Sequence, residues 1–319
     1  MILVSNFPTG LVEGMAVLRQ DGSSLEAVEA AIRVTEDDPN EHSVGYSGYP
    51  NLLGQVELDA CIMDGNTLQA GAVAGLTWCR NPISVARKVM EELPHVLLVG
   101  AGANRFAREM GFPKQTLLTP EIRAAWRKRL VELVGRGGLA GLPRRRNLRS
   151  LVGASTRAAH DTVNVLAVDR GGAIAAGVST SGWAWKYPGR VGDSAVIGAG
   201  GYADSRYGAA ACTGRGEMAI RACASKTVVS NLKAGMSLRD ACAEAMRDMA
   251  GLPDRNFSWV DIIAMDRKGT PIGCSWKTDR AVHYIADAMV EPKTVPMEVM
   301  ECLRPAGTPG LSLPPAAGR

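Results

Sequence analysis

Three threonines, Thr162, Thr180 and Thr213, stand at the predicted ends of apolar runs in the second half of a 319-residue chain. A hydroxyl set beside a base can attack a carbonyl. Between the second and third lies Pro188-Gly189-Arg190-Val191-Gly192-Asp193-Ser194, a glycine-rich loop holding one cation and one anion. Gly214 and Gly216 flank Arg215 at the predicted start of a helix, where open backbone N–H groups can meet a ligand. Thr162 by itself is an ordinary β-branched residue at the start of a strand. Its company singles it out, together with the connector that ends just before it.

The elements around these residues follow from periodicity. Residues 11–20 and 24–36 are predicted amphipathic helices, the second capped by Ser23 or Ser24 with Glu26 early in it. Residues 55–63 and 69–77 form a hairpin about Asp64-Gly65-Asn66. Further helices are expected at 83–93, 103–111 and 120–134, with a buried strand at Val96–Val99. From 135 to 159 the glycines and Arg144, Arg145, Arg146 and Arg149 give a flexible, basic connector. Residues 163–168 and 173–180 make a second hairpin about Asp169-Arg170-Gly171-Gly172. A short strand at 195–199, helices at 215–233 and 237–250, and a hairpin joining 259–265 to 272–276 follow. A closing strand is expected at 281–288, and the proline-rich tail 303–319 is expected to be disordered. Hairpins in both halves imply antiparallel sheets. Apolar runs with little alternation imply that both faces of each sheet are covered, as in stacked sheets with helices outside.

Composition narrows the class. Apolar residues make up 46% and charged residues 21%, the profile of a globular protein with no need of metals or disulfides. The net charge of +4 is small for this length and argues against nucleic acid. The seven cysteines show no C-x-x-C spacing and sit mostly in apolar stretches, as small buried hydrophobes do. His42, His95, His160 and His283 are dispersed, so no metal site is expected. Met1-Ile2-Leu3-Val4-Ser5 reads as a strand rather than a secretory signal, and no run of ~20 apolar residues occurs. A cytoplasmic location is expected, without a membrane span.

Motif order makes the reading specific. His160-Asp161-Thr162, Ser179-Thr180-Ser181-Gly182, Gly189-Arg190-Val191-Gly192-Asp193-Ser194, Gly198-Ala199-Gly200 and Thr213-Gly214-Arg215-Gly216 occur in this sequence. Upstream stand Glu36-Asp37-Asp38-Pro39, Ser43-Val44-Gly45-Tyr46, Leu58-Asp59-Ala60-Cys61-Ile62-Met63-Asp64 and Asn81-Pro82-Ile83-Ser84-Val85-Ala86-Arg87. In this order the chain resembles the glycosylasparaginase family of N-terminal-nucleophile hydrolases over roughly residues 1–290.

The resemblance implies an α+β fold, a four-layer αββα sandwich. It implies a precursor that cuts itself between Asp161 and Thr162 into an α-chain half, 1–161, and a β-chain half, 162–302. Asp161 is then the candidate base for the cut, with His160 beside it. The freed Thr162 serves as nucleophile and its own α-amino group as base. Thr213 and Gly214 form the oxyanion hole, and Thr180 orients Thr162. Arg190 holds the α-carboxylate of an asparagine- or aspartate-type substrate and Asp193 its α-ammonium. Ser43, Val191, Gly192, Arg215 and Gly216 complete the substrate contacts. No cofactor is called for, and a dimer of αβ units is implied.

The sequence departs from that pattern at two places. Phe7 follows Ser5-Asn6 where the family carries Trp, and Asn164 stands two after the nucleophile where Gly is usual. Other readings are an isoaspartyl peptidase or plant-type asparaginase, and a non-catalytic relative that binds amino acids. Those peptidases typically have Gly before the Thr, unlike Asp161 here. Val96–Val99 with Gly100-Ala101-Gly102-Ala103 is a partial dinucleotide fingerprint, with Arg105 where its third Gly would stand.

Overall fold

The computed structural model describes residues 1–138, 141–142, 147–155, 161–254 and 258–301. His160, Arg144 to Arg146 and the tail 303–319 lie outside the described residues. In the first half the elements run β1 (Ile2–Ser5), α1 (Leu11–Arg19), α2 (Ser24–Asp37), β2 (Leu58–Asp64), β3 (Ala70–Leu76), α3 (Pro82–Glu92), β4 (Leu97–Val99), α4 (Gly100–Glu109), α5 (Pro120–Val134) and α6 (Arg149–Ser155). The second half runs β5 (Val163–Val168), β6 (Ile174–Thr180), β7 (Gly201–Asp204), β8 (Gly208–Gly214), α7 (Gly216–Ala222), α8 (Ala224–Lys233), α9 (Leu238–Ala250), β9 (Val260–Asp266), β10 (Pro271–Ser275), β11 (Ala281–Ala286), β12 (Lys293–Pro296) and β13 (Glu298–Val299).

Two sheets form. The larger has the order β12-β11-β1-β5-β6-β2-β3-β4, the smaller β13-β10-β9-β8-β7. All pairs are antiparallel except β3 with β4 and β10 with β13. Between the sheets, Val4, Met63, Leu166 and Val178 meet Ala209, Ala211, Ile263 and Met265. Helices α1 to α3 cover the outer face of the larger sheet, and α7 to α9 that of the smaller. Both faces of β5, β6 and β8 are therefore buried, which is why these strands read as unbroken apolar runs. The result is the expected αββα sandwich. A satellite cluster holds α5 and α6 against Leu52 and Trp185.

The local signals were sound where one chemical device set them. Ser23 and Glu26 form a reciprocal capping box at the start of α2. The three hairpins about 64–66, 169–172 and 266–269 all form.

Other expectations need correction. Val96–Val99 is not a buried strand: β4 is a three-residue edge strand with Leu97 and Val99 exposed, because Leu98 alone turns toward the core and the opposite face is uncovered. It runs parallel to β3 at the margin of a mainly antiparallel sheet, which removes the doubly wound context of a dinucleotide site. Residues 195–199 are turns rather than a strand, with Gly198 at φ 92°, and β7 starts only at Gly201. The helix expected over 215–233 breaks at Cys223, whose φ is 45°, into α7 and α8. β11 does not close the sheet, since β12 pairs beyond it. Within the connector, residues 149–155 are helical.

One buried acid ties the scaffold to the site. Glu36, fully buried at the end of α2, accepts from Ser179 Oγ at 2.7 Å, from Ile83 N at 3.0 Å and from Asn81 Nδ2 at 3.3 Å. It thus caps α3 and anchors β6 one residue before Thr180. Burial pushes its carboxyl up to about 8, against hydrogen bonds that pull it down. Between the ordinary carboxylate value of 4.5 and about 8 the folded chain keeps a proton that the unfolded chain has lost. Stability therefore falls as pH rises through that window. Glu36→Gln keeps the side chain's shape and removes the titration. Thermal melts at pH 5 and pH 8 should show a smaller drop for the variant than for the wild type.

Candidate functional site

The site forms where the two sheets meet at one end. Thr162 directly precedes β5, and the β5–β6 register ends with Val163 opposite Ser179, so Thr162 and Thr180 are the next facing positions. Thr213 comes from β8 in the other sheet. Thr162 is only 6% exposed. Its carbonyl accepts from Asn6 Nδ2 at 2.7 Å and from Thr213 Oγ at 3.4 Å. Asn6 follows β1, the neighbour of β5, and its Oδ1 accepts from the Asn164 backbone N–H at 2.9 Å. Asn164 in turn donates through Nδ2 to Thr213 Oγ at 2.6 Å.

Thr180 is held by the loop before β2. Its hydroxyl donates to the Ser43 carbonyl at 3.2 Å and accepts from Gly182 N at 2.9 Å. Ser43 therefore contributes through its backbone, while its own hydroxyl donates to Glu41. Phe7 is half-buried and packs against the outer core under α1 to α3.

The charged loop closes the other side. Arg190 donates through Nε and Nη2 to one oxygen of Glu217, at 3.1 and 3.0 Å, and lies over the Trp183 ring. Arg215 is buried against Asp254, Glu217 and the same ring. Val191 is half-buried, and Gly192 N donates to Asp59. Glycines leave the room: a Cβ on Gly192 would lie 2.9 Å from Arg190 Nη1, and one on Gly216 would lie 2.5 Å from Asp193 Oδ1. Gly214, at φ 115°, packs against the Trp259 carbonyl, where a Cβ would come within 2.4 Å.

Asp193 is 5% exposed, and its Oδ2 has no hydrogen-bond partner among the described residues. Burial pushes its carboxyl up to about 7, while the nearby Arg190 guanidinium pulls it down. A buried carboxylate oxygen without a donor is costly by about 1–3 kcal/mol or more. A bound ammonium would relieve that cost.

Several site-adjacent residues had no sequence signal. Arg280 forms a two-pronged pair with the Asp161 carboxylate, also bonds Asp261, and stacks over Trp259. Asp261 faces Thr213 across the β8–β9 pair. Arg280 thus ties the residue before Thr162 to the strand beside Thr213. Lys186 is 1% exposed beneath the loop, donates to the Glu57 carbonyl at 3.0 Å, and lies 4.0 Å from both Glu57 Oε2 and Asp59 Oδ2. Burial pulls its ammonium below the ordinary lysine value, and the two carboxylates oppose that. Gly182 sits at φ 73°, a left-handed backbone that favours glycine, and a Cβ there would lie 2.9 Å from Lys186 Nζ.

No helix among the described residues is long and apolar enough to cross a membrane. Comparison with known proteins places the sequence. A family model described as Asparaginase matches residues 4–295. An N(4)-(β-N-acetylglucosaminyl)-L-asparaginase of Elizabethkingia miricola is 41% identical over 276 residues, covering 84% of this chain and 76% of the relative. A plant-type L-asparaginase of Pyrococcus horikoshii is 40% identical over 294 residues, covering 91% and 92%. An isoaspartyl peptidase/L-asparaginase of Mus musculus is 37% identical over 237 residues, covering 73% and 68%.

Proposed function

The chain belongs to the asparaginase family and is an amidohydrolase, and we propose that it acts through Thr162, freed by cleavage of the Asp161–Thr162 bond. The observation that carries this reading is the convergence on Thr162. A residue at a strand start in one sheet has the Thr213 hydroxyl of the other sheet 3.4 Å from its carbonyl.

In the cut, the Thr162 hydroxyl attacks the Asp161 carbonyl carbon. The Asp161–Thr162 C–N bond breaks as the ester forms, and the amine takes the proton. Water then hydrolyses the ester, leaving residues 1–161 and 162–319 as two chains that share one sandwich. Asp161 acts as base, positioned by Arg280. His160, outside the described residues, is the second candidate there.

In turnover, the new α-amino group, with an unperturbed pKa of about 7.7–8.0, takes the Thr162 hydroxyl proton. The oxygen attacks the substrate's side-chain amide carbon. Thr213 Oγ–H and Gly214 N–H stabilise the oxyanion. The amine leaves with the proton, and water releases aspartate from the ester. Thr180 orients Thr162, Arg190 holds the α-carboxylate, and Asp193 pairs with the α-ammonium. Ser43, Val191, Gly192, Arg215 and Gly216 shape the pocket around that head group.

Asp161 before the nucleophile favours an N-glycosylated asparagine substrate. The plant-type L-asparaginase relative, matched along nearly its whole length, keeps plain asparagine as the second reading, and the isoaspartyl peptidase relative adds β-aspartyl dipeptides. Parallel assays of the self-cleaved protein on the three substrates decide the matter. Fastest turnover of glycosylated asparagine is the expected result. Cleaved protein inert on all three would remove the proposal and leave the amino-acid-binding reading.

A further inference from the structure

We propose that Asn164 is a positioning residue that fixes the Thr213 hydroxyl as a donor toward the oxyanion. This rests on the reading of Thr162 as nucleophile and Thr213 as oxyanion partner.

A threonine hydroxyl has one proton to give and two lone pairs to fill. At Thr213, Asn164 Nδ2 fills one from 2.6 Å and Asn6 Nδ2 approaches the other from 3.3 Å. With both lone pairs met by N–H groups, the proton must point elsewhere. Its acceptor here is the Thr162 carbonyl, at a long 3.4 Å. The hydroxyl is therefore aimed at the reacting residue but weakly engaged, and can turn to a stronger acceptor nearby.

The orientation of Asn6 is set by its neighbours. Its Oδ1 takes the Asn164 backbone N–H at 2.9 Å, which leaves its Nδ2 facing Thr162 O and Thr213. Asn164 is 1% exposed, and among the described residues its side chain makes a single hydrogen bond, the one to Thr213. Its Oδ1 stays buried without a partner among the described residues. A buried amide that makes one of its four possible hydrogen bonds adds little to folding. What it does supply is a preset dipole at the point where charge develops.

The test is Asn164→Asp beside Asn164→Gly, each checked by mass spectrometry for cleavage and assayed on whichever of the three substrates the wild type turns over fastest. Asp has the same shape but only acceptors, so the Thr213 proton swings to residue 164 and the oxyanion loses its donor. The expected kcat falls by about 10²–10³-fold, the scale for losing one oxyanion donor, with KM changed little. Gly merely frees the hydroxyl, and its kcat should lie between the other two. A cleaved Asp variant with wild-type kcat overturns the inference. If the Asp variant stays uncleaved, the Gly variant decides: lower kcat at unchanged KM supports the inference, and equal or higher kcat overturns it. A cleaved wild type inert on every substrate would instead overturn the underlying nucleophile reading, and this inference with it.

Discussion

Thr162→Ala is expected to yield a single intact chain of 33.7 kDa without amidase activity, whereas the wild type is expected to run as two fragments with Thr at the new N-terminus. The argument is chemical. Alanine removes the oxygen that attacks the Asp161 carbonyl, so the C–N bond has no internal nucleophile. It equally removes the oxygen that would attack substrate, and without cleavage no free α-amine exists to serve as base. Loss of the nucleophile from a hydrolase costs on the order of 10⁶-fold in kcat. The contacts around Thr162 run through its backbone carbonyl, to Asn6 and Thr213, and survive the substitution. The Arg280 pair with Asp161 survives too. An uncleaved variant thus reports missing chemistry and not lost structure. A Thr162→Ala protein that still cleaves, or still hydrolyses asparagine derivatives at wild-type rate, would end the account.

Asp193→Asn should be less active yet more stable, a pairing that a damaged fold would not give. Truncating one partner of a buried charge pair costs about 2–5 kcal/mol. kcat/KM should therefore drop by about 30-fold or more, mostly through KM. Stability moves the other way. Burial holds the free carboxyl up to about 7, so between the ordinary value of 3.8 and about 7 the folded chain keeps a proton that the unfolded chain sheds. Wild-type stability declines as pH rises through that window, and the amide does not. The pH profile adds a second readout. Below about 7 Asp193 takes up its proton and loses its hold on the ammonium. The Thr162 amine must also be neutral to act as base. Two protonations on the acid limb give log kcat/KM a slope near 2, and the variant a slope near 1. An unchanged slope in Asp193→Asn would take Asp193 out of substrate recognition.

Much of the scaffold was legible because short-range devices fix it. The Asp64-Gly65-Asn66 and Asp169-Arg170-Gly171-Gly172 turns close hairpins between strands adjacent in sequence. The helix over 120–134 begins at a Thr119 cap with Pro at its first turn, and its limits were read correctly. The break at Cys223 was invisible, since the apolar spacing continues through a residue whose backbone alone turns left-handed. Edge strands β4 and β12 have exposed residues, so the two-faced burial that marks β5 or β6 is missing from their pattern.

For the proposed site, the sequence by itself determined the candidate set and its order: Thr162, Thr180, Arg190, Asp193 and Thr213 lie in chain-local motifs with their own turns and glycines. The tertiary structure alone decided their partners. Asn6 reaches Thr162 across 156 residues because β1 pairs with β5, and Arg280 reaches Asp161 across 119. Such contacts depend on which strands lie side by side, and that is settled by burying both faces of two sheets at once. No local periodicity carries that information, so Asn6 and Arg280 become readable as parts of a site, and Asn164 gains its partner Thr213, only in the folded chain.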